Sequence, residues 1–236
     1  MPLCLAMTAS EIASCIQIPP HMGWLACHFS LSGPGLSNLP KALPPHSLLI
    51  LDDSTPFSGH KAEVIARQLQ ECISVLEVDG VVLDFQRPKD PHVQELSCIL
   101  QQELSCPVAA PPGYGEPNCP VFLPPGPPDQ LLSEYVTPFQ DQKVWLEVAM
   151  DGMQISMTEK GYCKEAISFA NVQEFSHKEE KLHCHYCIRQ TDDTVIFSLQ
   201  RTWDDLQELL EDANQLGVTR TVGLWQELKT KMKPPV

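Results

Sequence analysis

Asp84 and Gln86 stand two residues apart at the end of a short apolar segment that begins at Gly80. A continuous apolar run of this length is typical of a strand that is buried on both faces of a parallel sheet. Because side chains alternate along a strand, Val82, Asp84 and Gln86 share one face. If that face lines a barrel, the carboxyl and amide groups lie at its C-terminal mouth, where barrel enzymes place their chemistry.

Glu147 and Asp151 provide a second pair of carboxylates, in the mostly apolar segment 143–152. Alternation places both on one face of a predicted strand, together with Trp145. A carboxylate inside a barrel is costly unless it is paired or protonated, and burial raises its pKa. Glu147 or Asp151 is therefore a candidate proton donor. A structural polar network is the more common role of such a residue, and the sequence leaves both alternatives open.

The segment 79–86 resembles the strand-4 signature of family 18 glycoside hydrolases, the chitinase-like barrels, which reads D-G-x-D-x-D-x-E. Asp79, Gly80 and Asp84 match this signature. Val82 stands in place of its middle Asp, and Gln86 stands in place of its catalytic Glu. The resemblance therefore retains Asp84 but lacks both the middle Asp and the catalytic acid of the signature.

Three later segments extend the resemblance. Residues 143–152 are similar to strand 7 of the family, and residues 221–225 are similar to strand 8, which ends in a Trp. Residues 182–216 look like the hairpin and helix of the spore-cortex-lytic branch. The fold that this implies is α/β, a single compact (β/α)8 TIM-barrel-like domain over residues 1–236, with a β-hairpin insertion at about 151–200, before the last helix–strand unit.

The resemblance implies a site for N-acetylglucosamine-type glycans, such as chitin or peptidoglycan fragments. In such a site Asp84 orients the acetamide of the substrate, and Trp225 stacks under a sugar ring. Gln86 keeps the shape of Glu but cannot donate a proton at neutral pH, so roughly 10²–10⁴-fold of general acid catalysis is expected to be lost. The candidate catalytic positions are Asp84, Gln86 and Glu147, and the candidate substrate-binding residues are Trp225, Asp151, Asp53 and Tyr114.

Structural roles compete with each of these assignments. The sequence is equally compatible with three structural roles: a polar strand end for Gln86, a buried structural carboxylate for Asp84 and a core position for Trp225. Three functions follow: a protein that binds glycans without hydrolysing them, a hydrolase with relocated acids, and a non-catalytic interaction barrel. The acids available for relocation are Asp52, Asp53, Asp84, Glu147 and Asp151. Whether the protein is an enzyme is left undecided by the sequence.

Eight strands interspersed with helices are expected to position these residues. The strands are predicted at residues 2–7, 24–31, 47–51, 79–85, 107–110, 120–123, 144–150 and 219–225. The clearest helices are predicted at residues 60–76, 91–104 and 203–216, with a further helix at 163–175. A hairpin is expected at residues 182–199, turning at Asp192 and Asp193.

Composition and targeting signals restrict the classes of binding partner and the cellular location that are expected. The net charge of −14 argues against nucleic acid and anionic membranes as partners, but it gives no information on whether the protein binds neutral glycans. No signal peptide or membrane span is visible, and the ten scattered cysteines fit a reduced compartment, so a cytoplasmic protein is expected unless a signal was removed. The oligomeric state is left open.

Neither a metal nor a cofactor is expected. The run from His183 to Cys187 contains zinc-ligand residue types, but alternation along a strand points them to opposite faces. The Gly33-Pro34-Gly35 segment lacks the Lys-Ser/Thr of a phosphate-binding loop.

Overall fold

The computed structural model describes residues 3–150, 152–167 and 177–229. The strands, in chain order, are β1 Leu3–Met7, β2 Met22–Phe29, β3 Leu36–Ser37, β4 Leu48–Asp52, β5 Gly80–Asp84, β6 Val108–Ala109, β7 Val121–Leu123, β8 Val144–Val148, β9 Gly152–Thr158, β10 Gly161–Ile167, β11 His177–Glu179, β12 Cys184–Gln190, β13 Val195–Gln200 and β14 Val218–Leu224. The helices are α1 Ala9–Ser14, α2 Ala62–Leu76, α3 Pro91–Glu103, α4 Leu132–Val136, α5 Trp203–Gln215 and α6 Trp225–Leu228.

Within the described ranges, eight parallel strands form a nearly closed barrel in the order β6-β5-β4-β2-β1-β14-β8-β7. A parallel bridge between Ala110 and Val121 links the two end strands. Because all eight strands run the same way, the C-terminal ends of β5, β8 and β14 lie at one mouth. This arrangement confirms the predicted α/β barrel and places Asp84, Gln86 and Trp225 at the same end.

The predicted inward faces are confirmed by the cluster that fills the barrel. Val82 of β5 and Trp145 of β8 both belong to this cluster, with side chains from β1, β4, β6, β7 and β14. Gly80 gives Trp145 its room, because a Cβ at Gly80 would lie 2.6 Å from the Trp145 ring and 2.9 Å from the carbonyl oxygen of Pro107. The Arg220 guanidinium lies 5.1 Å from the same ring. Trp145 thereby fills the barrel interior near the N-terminal ends of the strands.

The outer faces of the strands pack against helices. Ile65 and Leu69 of α2 and Leu96 of α3 are buried in one outer cluster, and Leu206 of α5 belongs to another. Helix α5 begins at a capping box in which Thr202 accepts from the backbone N–H of Asp205, and the Asp205 carboxylate accepts from the backbone N–H of Thr202. Packing of these helices fixes the positions of the strands, whose C-terminal ends bear the candidate site residues.

The insertion between β8 and α5 is larger than the predicted hairpin. It contains a five-stranded antiparallel sheet of order β10-β9-β13-β12-β11. The predicted hairpin corresponds to β12 and β13, whose turn includes Asp192 and Asp193. The helix expected at 163–175 is wrong for residues 163–167, which lie in β10 and pair with β9 from Gly161 to Ile167, so cross-strand pairing overrides the weak helical pattern. The rest of that expected helix lies outside the described residues.

No helix in the described ranges is long and apolar enough to cross a bilayer.

Candidate active site

A cavity of about 610 Å³ lies at the C-terminal mouth of the barrel and is called the mouth cavity below. Its lining residues are Asp84, Phe85, Gln86, Pro111, Pro112, Phe122, Leu123, Pro124, Pro125, Tyr135, Phe139, Glu147, Ala149, Leu224 and Glu227. Aromatic rings and prolines thus surround three carboxyl groups and one amide. None of these lining residues is Lys, Arg or His.

Asp84 and Gln86 contact each other directly at the edge of this cavity. The Gln86 Nε2 atom donates to Asp84 Oδ1 at 3.0 Å and to Asp84 Oδ2 at 3.3 Å. Burial raises the pKa of Asp84, the hydrogen bond from Gln86 offsets part of that rise, and the nearby Asp52 and Asp53 carboxylates add to it. The amide thus occupies the position at which the family signature has its acid, and it serves as a donor to Asp84.

Three ionisable residues lie side by side across neighbouring strands at this mouth. In the strand register His28 of β2 is opposite Asp52 of β4, which is opposite Asp84 of β5. The Nδ1 atom of His28 lies 2.5 Å from Asp52 Oδ2. Asp52 therefore has an imidazole beside it and also accepts from the backbone N–H of Ser54, whereas the partner of Asp84 is the neutral amide of Gln86.

Asp53 is buried, with 5% of its surface exposed, and is not part of the lining of the mouth cavity. Its Oδ1 and Oδ2 atoms accept from the backbone N–H groups of Gln86 and Arg87, each at 2.9 Å. The Arg87 Nε group donates in turn to the carbonyl oxygen of Asp53 at 2.5 Å. The structure thus gives Asp53 a positioning role, because it fixes the backbone that carries Gln86.

Glu147 projects from β8 into the mouth cavity, on the same inward face as Trp145. The hydroxyl of Tyr135 donates to the carbonyl oxygen of Pro124 at 3.0 Å. Burial raises the pKa of Tyr135, and the negative charge of Glu147 raises it further. Tyr135 and Glu147 therefore lie close enough to interact on one wall of the cavity.

Trp225 and Tyr114 are not among the residues that line the mouth cavity. Trp225 begins α6, is half-buried and packs against the outer cluster that contains residues of α5. Tyr114 is 6% exposed, and its ring packs edge-on against Phe85 with centroids 5.7 Å apart. The Tyr114 hydroxyl accepts from the backbone N–H of Asp90 at 3.4 Å. Asp151 lies outside the described residues.

The cavity also contains residues that sequence reasoning missed. Tyr135 and Phe139 come from the helical turns after β7, and Glu227 comes from α6 after β14. The available signal was their position, since each follows the C-terminal end of a barrel strand, where barrel sites are built. Their spacing to Asp84 in sequence carries no such information.

The His183–Cys187 run connects the insertion to α5. His183 Nε2 lies 2.8 Å from an Asp212 oxygen, and His185 Nδ1 lies 2.7 Å from Asp205 Oδ2. Burial alone would raise the pKa of Asp205, but hydrogen bonds from Thr202 and His185 hold it below its ordinary value. No group of three or more His, Cys, Asp or Glu in the described ranges is arranged to hold a metal ion.

No protein-family profile matches the chain, and no curated protein matches it significantly. Among solved structures, it is similar to a chitinase from Chromobacterium violaceum, with 9% identity over 94% of this chain and 93% of the other, and a TM-score of 0.51. A sporulation-specific glycosylase, YdhD of Bacillus subtilis, described as putative, has 9% identity over 84% and 90% of the two chains and a TM-score of 0.48.

The Bacillus cereus spore cortex-lytic enzyme SleL has 8% identity over 86% of this chain and 63% of its own length, with a TM-score of 0.47. Identities this low are informative about the fold alone. The mouth cavity therefore sits on a barrel of the kind found in the Chromobacterium violaceum chitinase.

Proposed function

We propose that the mouth cavity binds N-acetylglucosamine-type oligosaccharides, of the kind found in chitin and peptidoglycan, and does not hydrolyse them with an acid at position 86. The observation that carries this proposal is the contact between Gln86 and Asp84. A neutral amide stands where the family signature has a carboxylic acid, and it donates to the carboxylate that the resemblance assigns to substrate orientation.

The size and lining of the cavity suit a short carbohydrate. Its volume of about 610 Å³ lies within the usual range of roughly 300–1,000 Å³ for ligand sites. Phe122, Tyr135 and Phe139 offer ring faces and edges against which the C–H faces of a pyranose can pack. Asp84 and Gln86 add the polar groups that fix orientation.

The same lining argues against family-type hydrolysis. An amide has no proton to give at neutral pH, so the loss of general acid catalysis costs roughly 10²–10⁴-fold in rate. Val82, in place of the middle Asp of the signature, is fully buried in the barrel core. Affinity without turnover is the expected behaviour.

Titration calorimetry with an N-acetylated chitotetraose tests the binding. We expect a dissociation constant in the millimolar range, or about 4 kcal/mol of binding free energy, because Asp84 and Gln86 offer few polar contacts and each hydrogen bond contributes only roughly 0.5–1.5 kcal/mol net. Phe139→Ala should weaken binding at least fivefold, whereas Trp225→Ala, at a Trp outside the lining, should change it less than twofold. If the wild-type protein binds no carbohydrate, the proposal fails and the interaction-barrel alternative is favoured.

A second candidate function is a hydrolase with relocated acids. It is favoured by the presence of Asp84 and Glu147 in one cavity and by the raised pKa of Asp84. Release of an aryl leaving group from an activated N-acetylglucosaminide tests it. Turnover that Asp84→Asn or Glu147→Gln abolishes would establish this function in place of the first.

A further inference from the structure

We infer that the mouth cavity selects oligosaccharides with a free ammonium group, such as N-deacetylated chito-oligosaccharides, over their fully N-acetylated counterparts. This inference rests on the proposed carbohydrate binding and assigns the charge of the sugar unit that lies against Asp84. The site itself is defined by the cavity and its aromatic wall, and the carboxyl groups in it decide which sugar is preferred.

The charges of the cavity all have one sign. Asp84, Glu147 and Glu227 line it, and no Lys, Arg or His does so. Asp52 and Asp53 lie close enough to Asp84 to raise its pKa further. The whole chain carries a formal charge of −14, which favours cationic over anionic ligands in general.

Asp84 is the centre of this selectivity. Within the described part of the chain, its hydrogen-bond partner is the neutral amide of Gln86. Neither His28 nor Arg87 forms an ion pair with Asp84 in the described part of the chain, because His28 lies against Asp52, and Arg87 donates to the carbonyl oxygens of Asp53 and Ser54. Asp84 is therefore a half-buried carboxylate that a bound ammonium group would stabilise.

The hydrogen-bonding capacity of the lining points the same way. The side-chain donors in the lining are the Tyr135 hydroxyl, which donates to Pro124, and the Gln86 amide, which donates to Asp84. An acetamide carbonyl needs a donor, but the Tyr135 hydroxyl is engaged with Pro124, and the Gln86 amide, which has two N–H bonds, is partly engaged by Asp84. An ammonium group is donor-only, with three N–H bonds, and it matches an acceptor-rich lining.

The positive charge of Arg201 reduces the contribution that Glu147 can make to the preference for an ammonium group. Both residues line a crevice that adjoins the mouth cavity. The Arg201 guanidinium is buried and donates to the carbonyl oxygens of Gly126 and Pro127 at 2.9 and 3.5 Å. A positive charge thus lies behind Glu147, so the preference for ammonium is assigned to Asp84.

The test compares chitotetraose in its fully N-acetylated and fully deacetylated forms, by calorimetry at neutral pH and low ionic strength. We expect the deacetylated form to bind at least tenfold more tightly, and added salt to reduce that ratio. Asp84→Asn, which keeps the size of the side chain, should bring the ratio to within threefold. Glu159→Gln, a matched loss of one charge at the exposed β9–β10 turn, should leave the ratio unchanged.

The outcomes separate the two claims. If neither form binds, the proposed function fails, and the inference fails with it. If both forms bind equally, or the N-acetylated form binds more tightly, the inference is overturned and the proposed function stands. If Asp84→Asn and Glu159→Gln lower the ratio equally, the preference is a property of the overall charge, and the assignment to Asp84 is overturned.

Discussion

Replacing Gln86 by Glu tests whether the site lacks only its acid. The new carboxylate would take the place of an amide nitrogen that lies 3.0 Å from Asp84 Oδ1. Two unit charges at that separation repel each other by about 5 kcal/mol at an effective dielectric constant of about 20. Because residue 86 is exposed and Asp84 only half-buried, solvent screening reduces this to roughly 1–2 kcal/mol, or about one pKa unit.

The Gln86→Glu variant should therefore be less stable than the wild-type protein at neutral pH. A carboxyl group with a raised pKa in the folded state costs stability once the pH exceeds its unfolded pKa. The deficit should thus grow as the pH rises from about 4 through the raised value, and should vanish below about pH 4. Urea unfolding at several pH values measures this difference, with Gln140→Glu as the control at an exposed position away from Asp84.

Hydrolysis by the same variant is expected to stay close to background. The middle Asp of the signature is still replaced by Val82, which is fully buried in the barrel core. The assay is release of an aryl leaving group from an activated N-acetylglucosaminide. A rate enhancement above about 10²-fold from Gln86→Glu alone would refute this reasoning, because it would show that the acid was the only missing part.

Two further predictions concern stability. Asp84→Asn should raise the thermal midpoint at neutral pH by a few degrees, because burial disfavours the charged carboxylate. This gain in stability should disappear as the pH falls below the ordinary pKa of Asp. An unchanged thermal midpoint at neutral pH would count against the prediction. Asp53→Ala should destabilise the protein by about 2–4 kcal/mol in urea unfolding, because two backbone N–H groups lose their acceptor, whereas Asp193→Ala in an exposed turn should cost less than about 0.5 kcal/mol. A cost below about 1 kcal/mol for Asp53→Ala would contradict the positioning role.

Much of the barrel was predictable from sequence because its signals are local. Apolar runs of strand length predicted the strands, and alternation placed Val82, Asp84 and Gln86 on one face and Trp145 and Glu147 on another. Both faces point inward, as the interior cluster shows. Alternation is a property of the extended backbone, so it survives folding unchanged.

Tertiary structure decided which polar and aromatic residues meet at the mouth. Sequence reasoning placed Asp53, Tyr114 and Trp225 among the binding candidates. In the fold, Asp53 accepts from the backbone N–H of Gln86, Tyr114 packs against Phe85, and Trp225 packs against an outer hydrophobic cluster. It brings Tyr135 and Glu227 to the cavity instead.

The physical reason is that burial and contact depend on elements that are distant in the chain. Asp84 and Gln86 are two residues apart, so their hydrogen bond was within reach of a local pattern. Tyr135 approaches Glu147 only because β7 and β8 pair, and Glu227 reaches the cavity only because β14 closes beside β8. Similarly, β10 forms because its backbone finds a partner in β9, a contact that outweighs the helical spacing of its own side chains.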